Sequence, residues 1–591
     1  MCGFAGELAD GRPADRDAVQ RMAATMESRG PDGAGSWAQG RLALAHRRLK
    51  IIDLSASGDQ PMTDAQLGLT IVFNGCIYNH RELRRELEGE GYEFASTSDT
   101  EVILKAYAKW GSDCVAHFAG MFAFALYEHD AERLVLARDR LGVKPLYLAE
   151  VAGGLRFAST LPALLEGGGV DTELDRIALH HYLSWHAVVP APHTILQGVR
   201  KLPPATVMAI ERDGRRSSET YWRASFSRRP QCRDWSEHDW ALAVREALRT
   251  AVQRRMVSDV PVGVLLSGGL DSSLIVALLA EGGQRGLATF SVGFDRVGDR
   301  DGDEFQYSDL IAGTFETDHH RFHVPTTRML PALDGAIAAM SEPMVSHDAV
   351  AFYLLSQEVA KSHKVVQCGQ GADEMFAGYS WYPPLRDADG TGADAYQAAF
   401  FDRPHDEMAT TLQDLHLVAE DPSRAFLDRH FEAAGADDPV DRALRLDTEI
   451  MLVDDPVKRV DNMTMAWGLE ARTPFLDHEL VELAAACPPE LKLAQGGKGV
   501  LKAAGRALVP DAVIDRPKGY FPVPALSTLE GDTLTLIRES MDAPAARARG
   551  LFRRDHLERL FATPNEHLTT LEGSKLWQLA LLELWLARHG I

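Results

Sequence analysis

Near residue 225 the sequence changes its rhythm, and that change limits the folds open to the chain. Before it come short β-like runs separated by turns, at Leu42–Ala45, Leu69–Phe73, Met121–Tyr127, Leu134–Ala137 and Leu155–Ala158, with helical stretches at Arg81–Glu88 and Thr100–Trp110. Runs of strands with segregated helices predict a layered α+β domain. Residues 226–236 are polar, charged and contain Pro230, and they read as a linker. Beyond them strands and helices alternate: Val260–Leu266, Ser272–Glu281, Thr289–Phe294, Tyr307–Phe315, His319–Val324, Val350–Lys361 and Lys364–Cys368. Such alternation predicts a parallel, doubly wound α/β sheet. The remainder, to Ile591, reads as a helical C-terminal part. At 591 residues the chain exceeds one ordinary core. The expected division is therefore 2–225, a linker over 226–236, and 237–591.

Composition narrows the partners. With 62 basic against 85 acidic side chains, the net charge is −23, which argues against nucleic acid or an anionic membrane as the main partner. Glu7, Asp10, Arg12 and Asp15 interrupt any apolar leader. No apolar run reaches the ~18 residues of a membrane span. Leu576–Leu586, broken by Gln578 and Glu583, reads as a buried terminal helix. Six scattered cysteines without CxxC pairs fit reduced thiols and a cytoplasmic location. The groups His180, His181, His186 and His319, His320, His323 lack a Cys or carboxylate at ligand spacing in sequence, and read as core or surface histidines.

Cys2 follows the initiator Met. Trimming Met1 would leave a thiol and a free α-amine on one residue. The unperturbed amine titrates near ~7.7–8.0 and the thiol near ~8.5, so the amine can act as the thiol's own base. Asn74-Gly75, after the apolar run Thr70–Phe73, offers an amide and a backbone N–H as oxyanion donors; alone, the pair also reads as a turn. In the second half, Val262–Leu266 runs into Ser267-Gly268-Gly269-Leu270-Asp271-Ser272-Ser273 and then a helix. Glycines let backbone approach an anion, and a helix N-terminus presents unpaired N–H groups to it. The loop lacks the Gly-Lys-Ser/Thr of a Walker A sequence. It resembles the pyrophosphate loop of enzymes that cleave ATP between the α- and β-phosphates. A second loop, Cys368-Gly369-Gln370-Gly371-Ala372-Asp373-Glu374, closes a later strand. Asp271 and Asp373 should meet at the carboxyl ends of neighbouring strands, where two carboxylates suit Mg²⁺ bridging to phosphate.

In the first half, Met1-Cys2-Gly3, Arg29-Gly30-Pro31-Asp32-Gly33, His46-Arg47-Arg48-Leu49, Phe73-Asn74-Gly75 and Ser98-Asp99-Thr100-Glu101 occur in order, followed by Gly120–Ala125 and Arg138–Gly142. Together they resemble the N-terminal-nucleophile glutaminase domain of the asparagine synthetase family. Lys458–Met463 and Glu470–Asp477 extend the resemblance over the second half. The resemblance implies a glutaminase fold of layered sheets followed by an ATP-pyrophosphatase-type synthetase domain. It implies that Cys2 attacks the glutamine side-chain amide, with Asn74 and the Gly75 N–H holding the oxyanion. Arg48 would pair with the substrate carboxylate and Asp99 with its ammonium, in a pocket shared with Leu49, Ile51, Ile52 and Cys76. Leu265, Val292, Cys368 and Gly369 would surround adenine and ribose, Ser267, Gly268, Gly269, Asp271 and Ser272 the pyrophosphate, and Asp271 with Asp373 the Mg²⁺. Lys518, which alone reads as a surface lysine, would neutralise phosphate charge.

Two positions depart from the family. Asn74-Gly75-Cys76 stands where Asn-Gly-Glu is common, which leaves Asp99 as the main anionic anchor. Gly369-Gln370-Gly371 stands where asparagine synthetases carry Gly-Glu-Gly, a carboxylate beside the aspartate acceptor. Gln370 has no charge and cannot act as a base, which leaves Glu374 to supply a base on the acceptor side. With Pro517–Pro524, these departures make the chain most like the branch that amidates the C-terminal carboxylate of N-acetylglutaminylglutamine, an osmolyte precursor. The expected activity is glutamine hydrolysis coupled to amidation of a carboxylate activated as acyl-AMP, with glutamine, ATP and the acceptor as small-molecule partners and a homodimer allowed. The alternatives are asparagine synthesis from aspartate, a non-catalytic nucleotide-binding protein, and a free-standing glutaminase that would not need the second half.

Overall fold

The computed structural model describes residues 2–296, 302–436, 438–516 and 528–591. In its first half, side chains alternate across each strand with the period of two that a pleat imposes. On Gly120–Glu128, Ala123 and Ala125 join Phe4, Leu44 and Phe157 in an inner core, whereas Phe122, Phe124 and Leu126 turn outward onto Leu83, Val102 and Ile103. Two antiparallel six-stranded sheets result. One orders its strands Val199–Lys201, Tyr147–Val151, Gly154–Ala158, Gly3–Ala9, Leu42–Arg48, Gly33–Gln39; the other orders Arg216–Thr220, Thr206–Ile210, Arg133–Arg138, Gly120–Glu128, Leu69–Ile77, Met62–Asp64. Helices His80–Gly89 and Asp99–Trp110 cover the second sheet, and Arg16–Ala24, Leu161–Gly167 and Arg176–Ser184 cover the first.

The third sheet is parallel throughout, in the order Asp318–Val324, Ala288–Phe294, Val262–Leu265, Val365–Gln367, Glu470–Arg472. Its central strands are buried on both faces: Val262, Val264 and Val365 belong to one core, Leu265 and Val366 to another. That is why they read as unbroken apolar runs. The chain order across this sheet reverses between Val262–Leu265 and Val365–Gln367, which opens a crevice at their carboxyl ends. Helix Lys575–Arg588 is buried, as its sequence suggests, against the core shared with the first sheet. Among the described residues no helix is long and apolar enough to cross a membrane.

Three features differ from the sequence reading. Residues 226–236 do not behave as a loose polar linker. Phe226 is buried and donates its N–H to Gly435 O at 3.1 Å, Cys232 is buried, and Trp235 packs edge-on against Trp240 with ring centroids 4.9 Å apart. Their apolar side chains anchor the stretch, and Arg228 and Arg229 pair with Asp441 and Glu482 of the second half. Asn74 and Gly75 lie inside the strand Leu69–Ile77 rather than at its end. The short strand Glu470–Arg472 extends the parallel sheet from within a helical region.

Candidate active sites

Strand Gly3–Ala9 carries Cys2 at its mouth. The Cys2 N–H donates to Asn74 Oδ1 at 3.1 Å, which holds Asn74 beside the thiol. Nδ2 of the fully buried Asn74 makes no hydrogen bond among the described residues. A buried donor without a partner is what an oxyanion hole presents before its oxyanion forms. At Gly75 the strands close tightly: a Cβ would lie 2.2 Å from Met121 O, so glycine keeps this stretch of backbone in register beside the thiol. Cys2, Arg48, Leu49, Ile51, Ile52, Gly75, Cys76 and Asp99 all line one cavity of about 30 Å³; Asn74 does not line it and is tied to it through the Cys2 N–H.

The Arg48 guanidinium is fixed rather than loose. It donates to Ser55 O at 2.7 Å and Asp59 Oδ1 at 2.5 Å, and to Asp53 O. Asp99 opens the helix Asp99–Trp110, which is capped by the Ser98 side chain. Its Oδ2 accepts the Ile77 N–H at 3.0 Å. Burial pushes the Cys2 thiol and the Asp99 carboxyl up from their ordinary values, so the charged form of each gains from a polar substrate that restores lost solvation.

One member of this cavity comes from the other half of the chain. Glu470, on the edge strand of the parallel sheet, lines it as well. Arg472 Nε donates to Glu470 Oε1 at 2.6 Å, and Arg472 Nη2 lies 3.7 Å from Cys76 Sγ. Arg472, with Lys144 nearby, holds the Glu470 carboxyl well down, at about 2, against the cost of burial. A second buried link runs from Cys2 O to Arg29 Nε at 3.4 Å, then to Asp461, which pairs with Arg29 at 2.9 Å and Lys144 at 3.1 Å.

The crevice of the parallel sheet holds the second cavity, about 500 Å³. Leu265, Ser267, Gly269, Asp271, Ser272, Val292, Cys368, Gly369, Gln370 and Asp373 all line it. Helix Leu270–Glu281 begins at Gly269 without a side-chain cap, so its first-turn N–H groups face the crevice, as an anion requires. Gly268, at φ +74°, is packed into the wall against Ser308 and Tyr307. The carboxylates of Asp271 and Asp373 converge as expected, and Lys498 Nζ sits between them at 2.7 and 3.0 Å. Oxygen donors that already close on one cation fit Mg²⁺, a hard ion.

Glu374 stands just behind the cavity wall. It is buried, and Tyr379 Oη donates to its Oε1 at 2.8 Å. Burial, aided by neighbouring Asp373, pushes its carboxyl up to about 8. Lys518 lies outside the described residues. Sequence reasoning passed over Glu470, Arg472, Lys498 and Arg516. Arg516 donates to Gly268 O at 3.2 Å and pairs with Glu304 at 2.6 Å. Lys498 had a local signal, since it stands in Gly496-Gly497-Lys498-Gly499. Glu470 and Arg472 stood within the Glu470–Asp477 segment that resembles the family, but nothing there pointed to the thiol pocket, because their role depends on which strand neighbours which.

A thiol at a strand mouth with an open amide donor, and a nucleotide crevice in the same chain, define a glutamine-dependent amidotransferase. The family model described as "Asparagine synthase" matches residues 243–587, and that described as "Glutamine amidotransferase domain" matches residues 1–222. The chain belongs to the asparagine synthase family. It is 30% identical to asparagine synthetase [glutamine-hydrolyzing] 3 of Bacillus subtilis over 88% of this chain and 87% of that one. It is also 30% identical to asparagine synthetase [glutamine-hydrolyzing] 1 of the same organism, over 99% and 96%. To asparagine synthetase B [glutamine-hydrolyzing] of Escherichia coli it is 29% identical over 86% and 79%. The chain is accordingly an ATP-dependent carbon–nitrogen ligase that draws its nitrogen from glutamine.

Proposed function

We propose that this ligase amidates the C-terminal carboxylate of N-acetylglutaminylglutamine, within osmolyte synthesis. The observation that carries the choice of acceptor is Gln370, a neutral amide lining the nucleotide cavity beside Asp373. A free amino acid such as aspartate brings an ammonium that a carboxylate at this position would pair with. An N-acetylated acceptor has no ammonium, so a neutral side chain suits it.

In this reading residues 2–225 form the glutaminase domain, 226–236 the connection and 237–591 the synthetase domain. Removal of Met1 leaves the Cys2 α-amine to take the thiol proton. The thiolate attacks the glutamine amide carbon while Arg48 and Asp99 hold the α-carboxylate and α-ammonium. Asn74 Nδ2 and the Gly75 N–H receive the oxyanion. Ammonia leaves, and water hydrolyses the thioester to glutamate.

In the second cavity Leu265, Val292, Cys368 and Gly369 surround the nucleoside, and the Ser267–Ser272 loop holds the pyrophosphate. Mg²⁺ held by Asp271 and Asp373 would neutralise phosphate charge there. Lys518 adds a further positive charge. The acceptor carboxylate attacks the α-phosphorus and pyrophosphate departs. Ammonia then attacks the acyl carbon, AMP leaves, and Glu374 takes the surplus proton.

The two sites adjoin through one strand. Glu470 lines the glutaminase cavity, and two residues on, Arg472 O accepts the N–H of Cys368, which lines the other. An interior route for ammonia along this strand keeps its lone pair from protonation in water.

The deciding experiment offers the chain equal concentrations of aspartate and N-acetylglutaminylglutamine with amide-labelled glutamine and Mg²⁺-ATP. Mass spectrometry should find the label in the dipeptide amide. Preferential labelling of asparagine would overturn the proposed acceptor and establish asparagine synthesis instead.

A further inference from the structure

Three residues from both halves of the chain meet where helix Arg176–Ser184 packs against helix Pro422–Glu432. His180 belongs to helix Arg176–Ser184 of the first half, His405 begins helix His405–Thr411, and Asp421 caps helix Pro422–Glu432. One ligand atom from each lies within 4.8 Å of the other two. Among the described residues, no other set of three His, Cys, Asp or Glu side chains closes to this degree. His180 Nε2 is 2.9 Å from His405 Nδ1 and 3.8 Å from an Asp421 carboxylate oxygen. We propose that His180, His405 and Asp421 form a transition-metal site, suited to Zn²⁺, that ties the glutaminase half to the synthetase half.

The chemistry of the donors supports this assignment. Two imidazoles and one carboxylate are a recurrent three-ligand set for Zn²⁺, with water in the fourth position. Imidazole also favours Zn²⁺ over Mg²⁺ or Ca²⁺, which prefer all-oxygen sites. His180 is buried, whereas His405 and Asp421 are half-exposed, so an ion and its water have a path in from solvent.

The second contacts of His180 are also in place. Its Nδ1 is 2.8 Å from Ser423 Oγ, and Ser423 lies two residues after Asp421. That contact turns Nε2 toward His405 and Asp421, the orienting role that outer-shell partners play at metal-bound histidines.

Capping and the approach to His180 fall on the same Asp421 oxygen: Oδ1 accepts the Arg424 N–H at 2.9 Å and lies 3.8 Å from His180 Nε2, and a carboxylate has acceptor capacity for more than one partner. With Zn–N bonds of about 2.0–2.1 Å, tetrahedral donors stand roughly 3.4 Å apart. The two imidazoles must therefore separate by about half an ångström. His405 can supply that movement because it sits on a half-exposed turn after Pro404.

The test uses the full chain, stripped with chelator and then offered Zn²⁺ or Co²⁺ alone. Elemental analysis should find about one Zn²⁺ per chain after desalting. Co²⁺ should give the visible bands of a tetrahedral site without a thiolate charge-transfer band, which separates this site from the cysteines. His405→Ala should abolish the bands and the bound Zn²⁺, and His405→Gln should do the same. His405 is chosen because it is half-exposed, so its replacement leaves the buried packing around His180 intact. Restoring Zn²⁺ should raise the thermal midpoint of the wild-type chain and leave that of His405→Ala unchanged. Failure of the stripped chain to take up Zn²⁺, or a cobalt spectrum that survives in both His405 variants, would overturn the proposal and leave a hydrogen-bonded imidazole pair.

Discussion

The Arg472 guanidinium lies 3.7 Å from Cys76 Sγ, so a cation from the synthetase sheet faces a thiol inside the glutaminase cavity. Burial pushes the Cys76 thiol far up, with Arg472 opposing that shift, and Cys76 is accordingly a neutral spectator. Cys76→Ala should leave glutamine hydrolysis nearly unchanged. Cys76→Glu would place a carboxylate against Arg472 and beside the ammonium subsite. It should lower the KM for glutamine about tenfold, the order of one charge-assisted hydrogen bond, with little effect on kcat. Steady-state hydrolysis at varied glutamine measures both, and a KM unmoved by the carboxylate would detach position 76 from ammonium recognition.

Cys2→Ala should abolish glutamine-dependent amidation while amidation with added ammonium salts continues. Cys2 and Asp271 line separate cavities. Equal loss of both activities would show that the two sites are not chemically independent.

Asn74→Ala removes the buried, unpartnered Nδ2 of the residue that accepts the Cys2 N–H. The expected loss in kcat for glutamine hydrolysis is about 10²–10³-fold, as for one oxyanion-hole donor. KM should move much less, since the contact forms only as charge develops. A proportionate rise in KM with kcat intact would reassign Asn74 to ground-state binding.

Asp271→Asn or Asp373→Asn should stop pyrophosphate release while glutamine hydrolysis persists, because a neutral amide is a poorer ligand for a hard cation. Lys498→Met tests the same pair from the other side. Without the ammonium, two neighbouring carboxylates repel each other, so the thermal midpoint should fall. Mg²⁺-ATP should recover most of that fall by supplying another cation. A midpoint that Mg²⁺-ATP does not restore in Lys498→Met would mean that the two carboxylates do not share a metal.

Glu374 predicts the pH behaviour of the second site. Its carboxyl is raised to about 8 by burial and Asp373, above the value near 4.3 of an unfolded Glu. The folded chain therefore holds a proton that the unfolded chain has lost over this interval. Stability from this group is full below about 4.3 and declines as pH rises through 8. Glu374→Gln should remove that decline. As a base, the same group should give ammonia-dependent amidation a rising limb near pH 8 that is absent from Glu374→Gln. A limb retained in the variant would exclude Glu374 as the base.

Much of this arrangement was legible in the sequence. Alternating patterns located the strands of the first half, unbroken apolar runs located the doubly buried strands of the parallel sheet, and the loops after Val262–Leu265 and Val365–Gln367 announced themselves through glycines followed by Asp. What escaped was whatever depends on neighbours in space. Glu470–Arg472 is a three-residue strand with charged ends, too short to carry a periodic signal. Its importance comes from pairing with Val365–Gln367 at the sheet edge. Residues 226–236 misled for a related reason: their polar majority outweighs Phe226 and Cys232, although those two decide the packing. Asn74-Gly75 read as a strand end because a turn often has the same two residues. Here glycine serves the close approach of Met121 O.

The strand Glu470–Arg472 has a consequence for how such enzymes can be recombined. Its first residue belongs to one cavity and its last is bonded to the rim of the other. A chimera joining this glutaminase half to a foreign synthetase half inherits a new wall for its thiol pocket along with the new acceptor specificity. Exchange of parts between relatives must therefore carry this three-residue segment with the donor of ammonia, even though it lies deep within the sequence of the recipient.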